Sequence, residues 1–138
     1  MTEDQKSEIL SFLESNKVCV LGLEISSGVH CAVMHFAFDP ENLEIVFLTS
    51  NKSRKFSIFS DKADTSASVV VGTDVDSLKT LQLDGKIVLD ENLSERFKLR
   101  FPDKKVKDDS VFLKFVPSWW QYTDWTKDEN KVLKGEMV

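Results

Sequence analysis

The pattern of apolar and polar positions changes texture once, close to the N-terminus. Between Glu3 and Ser15 the apolar residues Ile9, Leu10, Phe12 and Leu13 recur at helical spacing with polar residues among them, which predicts a short amphipathic helix ending at Asn16. Beyond it the runs are strand-like. Residues 17–25 (KVCVLGLEI) and 29–38 (VHCAVMHFAF) flank the turn sequence SSG and predict a hairpin. A DPEN turn at residues 39–42 then leads to a third strand at residues 43–48 (LEIVFL).

Further on, Phe56, Ile58 and Phe59 cover one side of a short helix predicted over residues 53–60, with Ser53 as its N-cap. Residues 66–72 (SASVVVG) and 78–89 (LKTLQLDGKIVL) return to strand character, and the Asp84-Gly85 pair inside the latter marks a bulge or bend. Residues 91–101 have helical propensity, and residues 111–116 (VFLKFV) form a last strong strand before an aromatic tail of Trp119, Trp120, Tyr122 and Trp125. Five or six strands with helices at the margins argue for a closed or nearly closed antiparallel barrel.

Composition narrows this further. A chain of 138 residues with 41% hydrophobic and 30% charged residues is read as one domain with its own core, residues 1–138. The net charge of -5 argues against a general nucleic-acid or membrane-surface binder, either of which needs a broad basic face. No apolar run reaches membrane-spanning length, and the acidic, amphipathic start is unlike a secretory signal, so the expected location is cytoplasmic. The two cysteines are expected to be buried free thiols. A turn over SSG sets Cys31 opposite about Glu24, five positions from Cys19, or on the order of 16 Å along a strand.

Against the acidic total, residues 49–55 (TSNKSRK) gather three cations and three hydroxyls at a strand-to-helix junction. Cations in a first helical turn are unfavourable by roughly 0.3 to 1 kcal/mol each unless an anion offsets them. Backbone amides, hydroxyls and flexible cations in one place suit a phosphate group. A solvated loop with a capping serine is the plain alternative. The glycines of a triphosphate-cradling loop are absent.

Other candidates carry less. His30 and His35 lie five apart in one strand, so alternation points them to opposite faces and away from any shared metal. Trp119 and Trp120 should place one ring inward and one outward, as core or interface aromatics or as contacts to a planar ligand. No serine, cysteine or carboxylate stands in a triad or paired-carboxylate context, which leaves hydrolysis without support.

In its order of features the chain resembles the pyridoxamine 5'-phosphate oxidase-like proteins, the FMN-binding split-barrel family. The resemblance runs from EILSFLESNKVCVLGLE to WWQYTD and is most specific in VFLTSNKSRK, residues 46–55. In that family this segment grips the FMN phosphate, which implies Thr49, Ser50, Ser53, Arg54 and Lys55 as phosphate ligands. The strand holding Val33 and Met34 is similar to the one beside the flavin ring. The TLQLDG run resembles the family's glutamine-bearing strand and implies Gln82. PSWWQ is similar to a stretch whose tryptophan approaches the flavin from the partner subunit, which implies Trp120.

Two departures accompany the likeness. Ala32 and approximately Ala37 stand where the family's vitamin B6 oxidases carry cations, and the arginine- and histidine-bearing C-terminal segment of those oxidases is missing before Val138. The resemblance therefore implies a mainly β, split antiparallel barrel with short flanking helices, binding FMN as a homodimer with its cofactor sites at the subunit interface. The implied activity is that of a flavin-dependent oxidoreductase acting on a small-molecule redox substrate, with no metal and with no catalytic side chain assigned. The alternative is a flavin- or haem-binding carrier or sensor without turnover. A barrel binding single-stranded nucleic acid through Lys52, Arg54 and Lys55 is a third class, opposed by the acidic net charge.

Overall fold

The N-terminal helix α1 (Glu3–Glu14) starts on a capping box. Thr2 accepts from the Gln5 amide at 3.1 Å while the Gln5 side chain accepts from the Thr2 amide at 2.9 Å, and Glu3 and Asp4 place negative charge in the first turn. The computed structural model of the chain describes residues 1–54, 64–74, 76–90 and 94–137. The helix proposed over residues 53–60 falls almost wholly outside them, as does Lys55.

Among the described residues eight strands follow: β1 (Val18–Ile25), β2 (Gly28–His35), β3 (Ala37–Phe38), β4 (Ile45–Ser50), β5 (Asp64–Val71), β6 (Lys79–Leu89), β7 (Ser110–Asp124) and β8 (Val132–Glu136). A second helix, α2 (Ser94–Arg100), stands between β6 and β7. All recorded pairings are antiparallel, in the order β2-β1-β5-β6-β7-β4-β3, with β8 added along β7. The order begins with β2 and ends with β3, which are neighbours in the chain. Residues 28–38 thus stand at both ends of this path, with β8 as a further edge, and the sheet curls back on itself into a barrel that is split between β2 and β4.

Strand alternation sorts side chains onto two faces. Cys19, Leu21 and Leu23 of β1, Val69 and Val71 of β5, Leu81 and Leu83 of β6, and Trp120 and Tyr122 of β7 point inward, joined by Ile9, Phe12 and Leu13 from α1. A smaller core lies on the other side of β4, where Phe97 of α2 packs against Ala37, Val46 and Phe112. Arg100 ties the helices together. Its guanidinium donates to the carbonyls of Leu13, Glu14, Asn16 and Phe36 and lies over the Phe36 and Phe38 rings at 4.7 and 5.1 Å. It satisfies carbonyls that a helix C-terminus leaves without intrahelical partners.

Several expectations change here. The hairpin turn is two residues, Ser26 and Ser27, with Ile25 paired to Gly28, whose φ of 134° suits glycine. Cys31 therefore faces Gly22 and not Glu24. It lies on the outer face and is exposed, whereas Cys19 is buried on the inner face, so the two thiols are kept apart by the sheet. The aromatic tail proves to be strand, because β7 continues through Pro117 to Asp124. It does so beside a register shift at Asp84/Gly85, the expected bulge, where a side chain on Gly85 would collide with the Val116 carbonyl. Strand β8 was not foreseen. Among the described residues no helix is long and apolar enough to cross a membrane.

Candidate functional site

Counting along the β3–β4 ladder locates the opening. Ala37 pairs with Val46 and Phe38 with Ile45, so each step back toward β2 is a step forward on β4. β2 pairs with β1 and does not extend this ladder, although it stays close to β4. Val33-Met34 near the end of β2 and Thr49-Ser50 at the end of β4 thus lie on the two strands that border the split.

The turn after β4 is held by its own hydrogen bonds. The Ser50 hydroxyl donates to Asp109 Oδ2 at 2.8 Å and accepts from the Lys52 amide at 3.1 Å. The Ser53 amide donates to the Ser50 carbonyl at 3.0 Å, and the Asn51 amide to the Asp109 carbonyl at 2.8 Å. Thr49 Oγ1 reaches Ser53 Oγ at 3.3 Å. The amides of Asn51, Lys52 and Ser53 are thereby committed within the protein, so it is the turn's side chains that an incoming anion meets.

Asp109, just before β7, has no counterpart in the sequence reading. Its hydrogen bond from Ser50 holds the carboxyl below its ordinary value, helped by a backbone hydrogen bond and by the charges of Lys52 and Lys107, with desolvation opposing. A second feature was also missed. Lys104 Nζ lies 3.1 Å from His35 Nδ1, and the His35 ring stands edge-on to Phe101 at 5.3 Å. Partial desolvation, and then the Lys104 charge, lower the His35 value and favour the neutral imidazole as acceptor. The run KKVKDD at residues 104–109 was the available signal, but sequence alone does not say what a loop lies against.

The remaining candidates separate by face. Val33, 71% exposed, belongs to an outer-face row with Val20, Val70, Gln82 and Gln121, and Gln82 is exposed three strand spacings away, about 14 Å. Met34 is partly buried against the main core. Trp120, 2% exposed, sits inside the barrel opposite Leu83 and beside Gly135, away from the Val33–Gln82 row. Trp119 is the tryptophan on the outer face, paired with Asp84. Arg54 is exposed and Ser53 half-buried at the turn.

Next to the Val33–Gln82 row the outer face carries an open groove of about 950 Å³, bordered by Gly22, Val29, Cys31, Ser68, Asp84 and Pro117. The Ser68 hydroxyl donates to Asp84 there at 2.6 Å. Among the described residues no group of His, Cys, Asp and Glu side chains is arranged to hold a metal ion.

No protein-family model matches the chain, and no curated protein does. Solved structures do match. A Listeria innocua protein provisionally named pyridoxamine 5'-phosphate oxidase is 22% identical, with a TM-score of 0.70, covering 86% of this chain and 97% of that one. A Clostridium acetobutylicum protein related to general stress protein 26, of the pyridoxinephosphate oxidase family, is 17% identical with a TM-score of 0.72, covering 99% and 97%. General stress protein 26 of Bacillus anthracis is 17% identical with a TM-score of 0.67, covering 86% and 92%. The fold is the split barrel shared by these pyridoxamine 5'-phosphate oxidase-like and general stress proteins.

Proposed function

We propose that the chain binds FMN in the split between β2 and β4 and works as a flavin-dependent oxidoreductase. The observation that carries this reading is the approach of β2 to β4 without a shared ladder, which leaves Val33 and Met34 on one and Thr49 and Ser50 on the other of the two strands that border the split. The resemblance marks the first stretch for the ring, and composition together with the resemblance marks the second for the phosphate.

The residues present fit the group in kind. Thr49, Ser53 and Arg54 would take the phosphate, with Lys55, outside the described residues, as a further proposed ligand. Ser50, whose hydroxyl is committed to Asp109, shapes the turn. Val33 and Gln82 would flank the ring on the outer face. Trp120, enclosed in the core, is better suited to supporting β7 than to touching a flavin. Once bound, the flavin supplies hydride or electron transfer, which requires no side-chain nucleophile. The chain's part is to bind, orient and exclude water.

A homodimer accompanies the proposal. Val29 and Val33 are 77% and 71% exposed beside Val18 and Cys31, an apolar stripe that a second copy would cover while enclosing the flavin. Titration with FMN, followed by flavin fluorescence, tests the binding claim; unquenched flavin at high protein concentration would sink it. Mixing the loaded protein with reduced nicotinamide separates the enzyme, whose flavin bleaches, from a carrier, whose flavin stays oxidised. Native mass spectrometry reads the subunit number, and a Val33→Glu protein should run as the monomer.

A further inference from the structure

We propose that Lys104 is an anion-binding residue of the split, held at strand β2 by His35, and this rests on the FMN reading above. A phosphate dianion at the turn after β4 meets Lys52 and Arg54 on that bank, together with the opposing carboxylate of Asp109. From Cys31 to His35 the outer face of β2 offers Cys31, Val33 and His35, none of them a permanent cation. The β2 bank needs its positive charge from another element.

The connection between α2 and β7 supplies it. At one end of that segment Phe101 packs against His35, and at the other Asp109 bonds Ser50. Strands β2 and β4 lie close together, so the segment reaches from His35 on one side of the split to Ser50 on the other. Lys104, Lys105 and Lys107 are carried along it. Among these, Lys104 has its ammonium seated on β2, 3.1 Å from His35 Nδ1.

The choice of partner matters. A carboxylate at position 35 would hold the ammonium and cancel its charge. A neutral imidazole accepts one hydrogen bond and leaves the charge whole, with two N–H groups for a ligand. The partial desolvation of His35 and the proximity of Lys104 both favour that neutral form.

The test compares FMN with riboflavin, which has the same ring and no phosphate. Lys104→Gln should weaken FMN binding about threefold to tenfold and leave riboflavin binding unchanged, while the salt dependence of FMN binding becomes shallower. Lys104→Arg should restore most of the affinity, and Lys105→Gln should change neither ligand. Equal losses for FMN and riboflavin, or an unaltered FMN affinity in Lys104→Gln, overturn the assignment. Wild-type protein that takes no FMN sinks the flavin reading instead. Inorganic phosphate then reads the same variant through amide chemical shifts at residues 49–54, and identical titrations of wild type and Lys104→Gln overturn the role of Lys104.

Discussion

Ser50 and Asp109, 59 positions apart in the chain, are joined by a 2.8 Å hydrogen bond that fastens the turn after β4 to the start of β7. The bond puts a negative charge on a hydroxyl that the sequence suggests for a phosphate. Under the FMN reading, geometry and charge then act in opposite directions: the carboxylate shapes the turn and repels the ligand.

Asp109→Asn separates the two effects, since the amide oxygen still accepts from Ser50 while the charge is gone. FMN affinity should rise about threefold to tenfold, with riboflavin unaffected. Unchanged FMN affinity would mean that the phosphate lies elsewhere. Acid stability should respond in the other sense. The folded carboxyl titrates below its ordinary value of 3.8, so its contribution is present above that pH and is lost as the pH falls below it. The Asn protein should lack that component of the acid unfolding curve.

Tyr122 presents a different imbalance. Among the described residues its hydroxyl and the indole nitrogen of Trp120 are buried without a hydrogen-bond partner. Burial, and then Glu8 and Asp124, push the phenol from 10.0 up to about 12. Below pH 10 the phenol is neutral whether folded or unfolded. Between 10 and 12 the unfolded chain ionises while the folded one resists, so stability falls as pH rises through that window. Tyr122→Phe should be more stable by about 1 kcal/mol at neutral pH and lack this alkaline loss, as read by urea unfolding at pH 7 and 11. A destabilised Phe variant would show that the hydroxyl has a partner after all.

Arg100 concentrates four carbonyl contacts and three ring faces in one guanidinium. Arg100→Ala should cost about 2–3 kcal/mol, because it strips partners from carbonyls at the end of α1 and at the β2–β3 junction. Lys at this position should recover only part of the loss, since an ammonium lacks the planar fork and the stacking surface. Denaturation midpoints for the three proteins check the order, and a Lys variant equal to wild type would refute the role given to the fork.

The thiols should behave unequally. Cys19 is buried in the barrel, where desolvation pushes its thiol up to about 12, whereas Cys31 lies exposed beside the groove. In the Val33→Glu protein, whose stripe is left uncovered, a thiol reagent at pH 8 should therefore add one label in the native state and two in urea, as counted by mass. Rapid double labelling of native protein would contradict the inward placement of Cys19.

Alternation and turn chemistry made much of this fold legible. Residues 17–48 announced the hairpin and the third strand, and Asp84-Gly85 announced its bulge. The VLKGE run of β8 was hidden because its lysine, glycine and glutamate weaken strand propensity, and pairing with the long β7 decides it. Pro117 concealed the continuity of β7, since a proline in a strand is tolerated at an irregularity such as the one beside Gly85. The turn at residues 49–54 was visible from its composition. Asp109 and Lys104 were not, because their importance lies in contacts with residues 59 and 69 positions away.

Because residues 28–38 stand at both ends of the main strand order, the barrel has a seam where β2 and β4 lie close without pairing. An unjoined strand margin is also where a foreign strand attaches and aggregation begins. A molecule lodged in that seam would guard the fold as well as serve chemistry. At a hundred times its dissociation constant it would raise stability by about 2.7 kcal/mol. Expression with abundant cofactor should then yield more intact protein than expression without it.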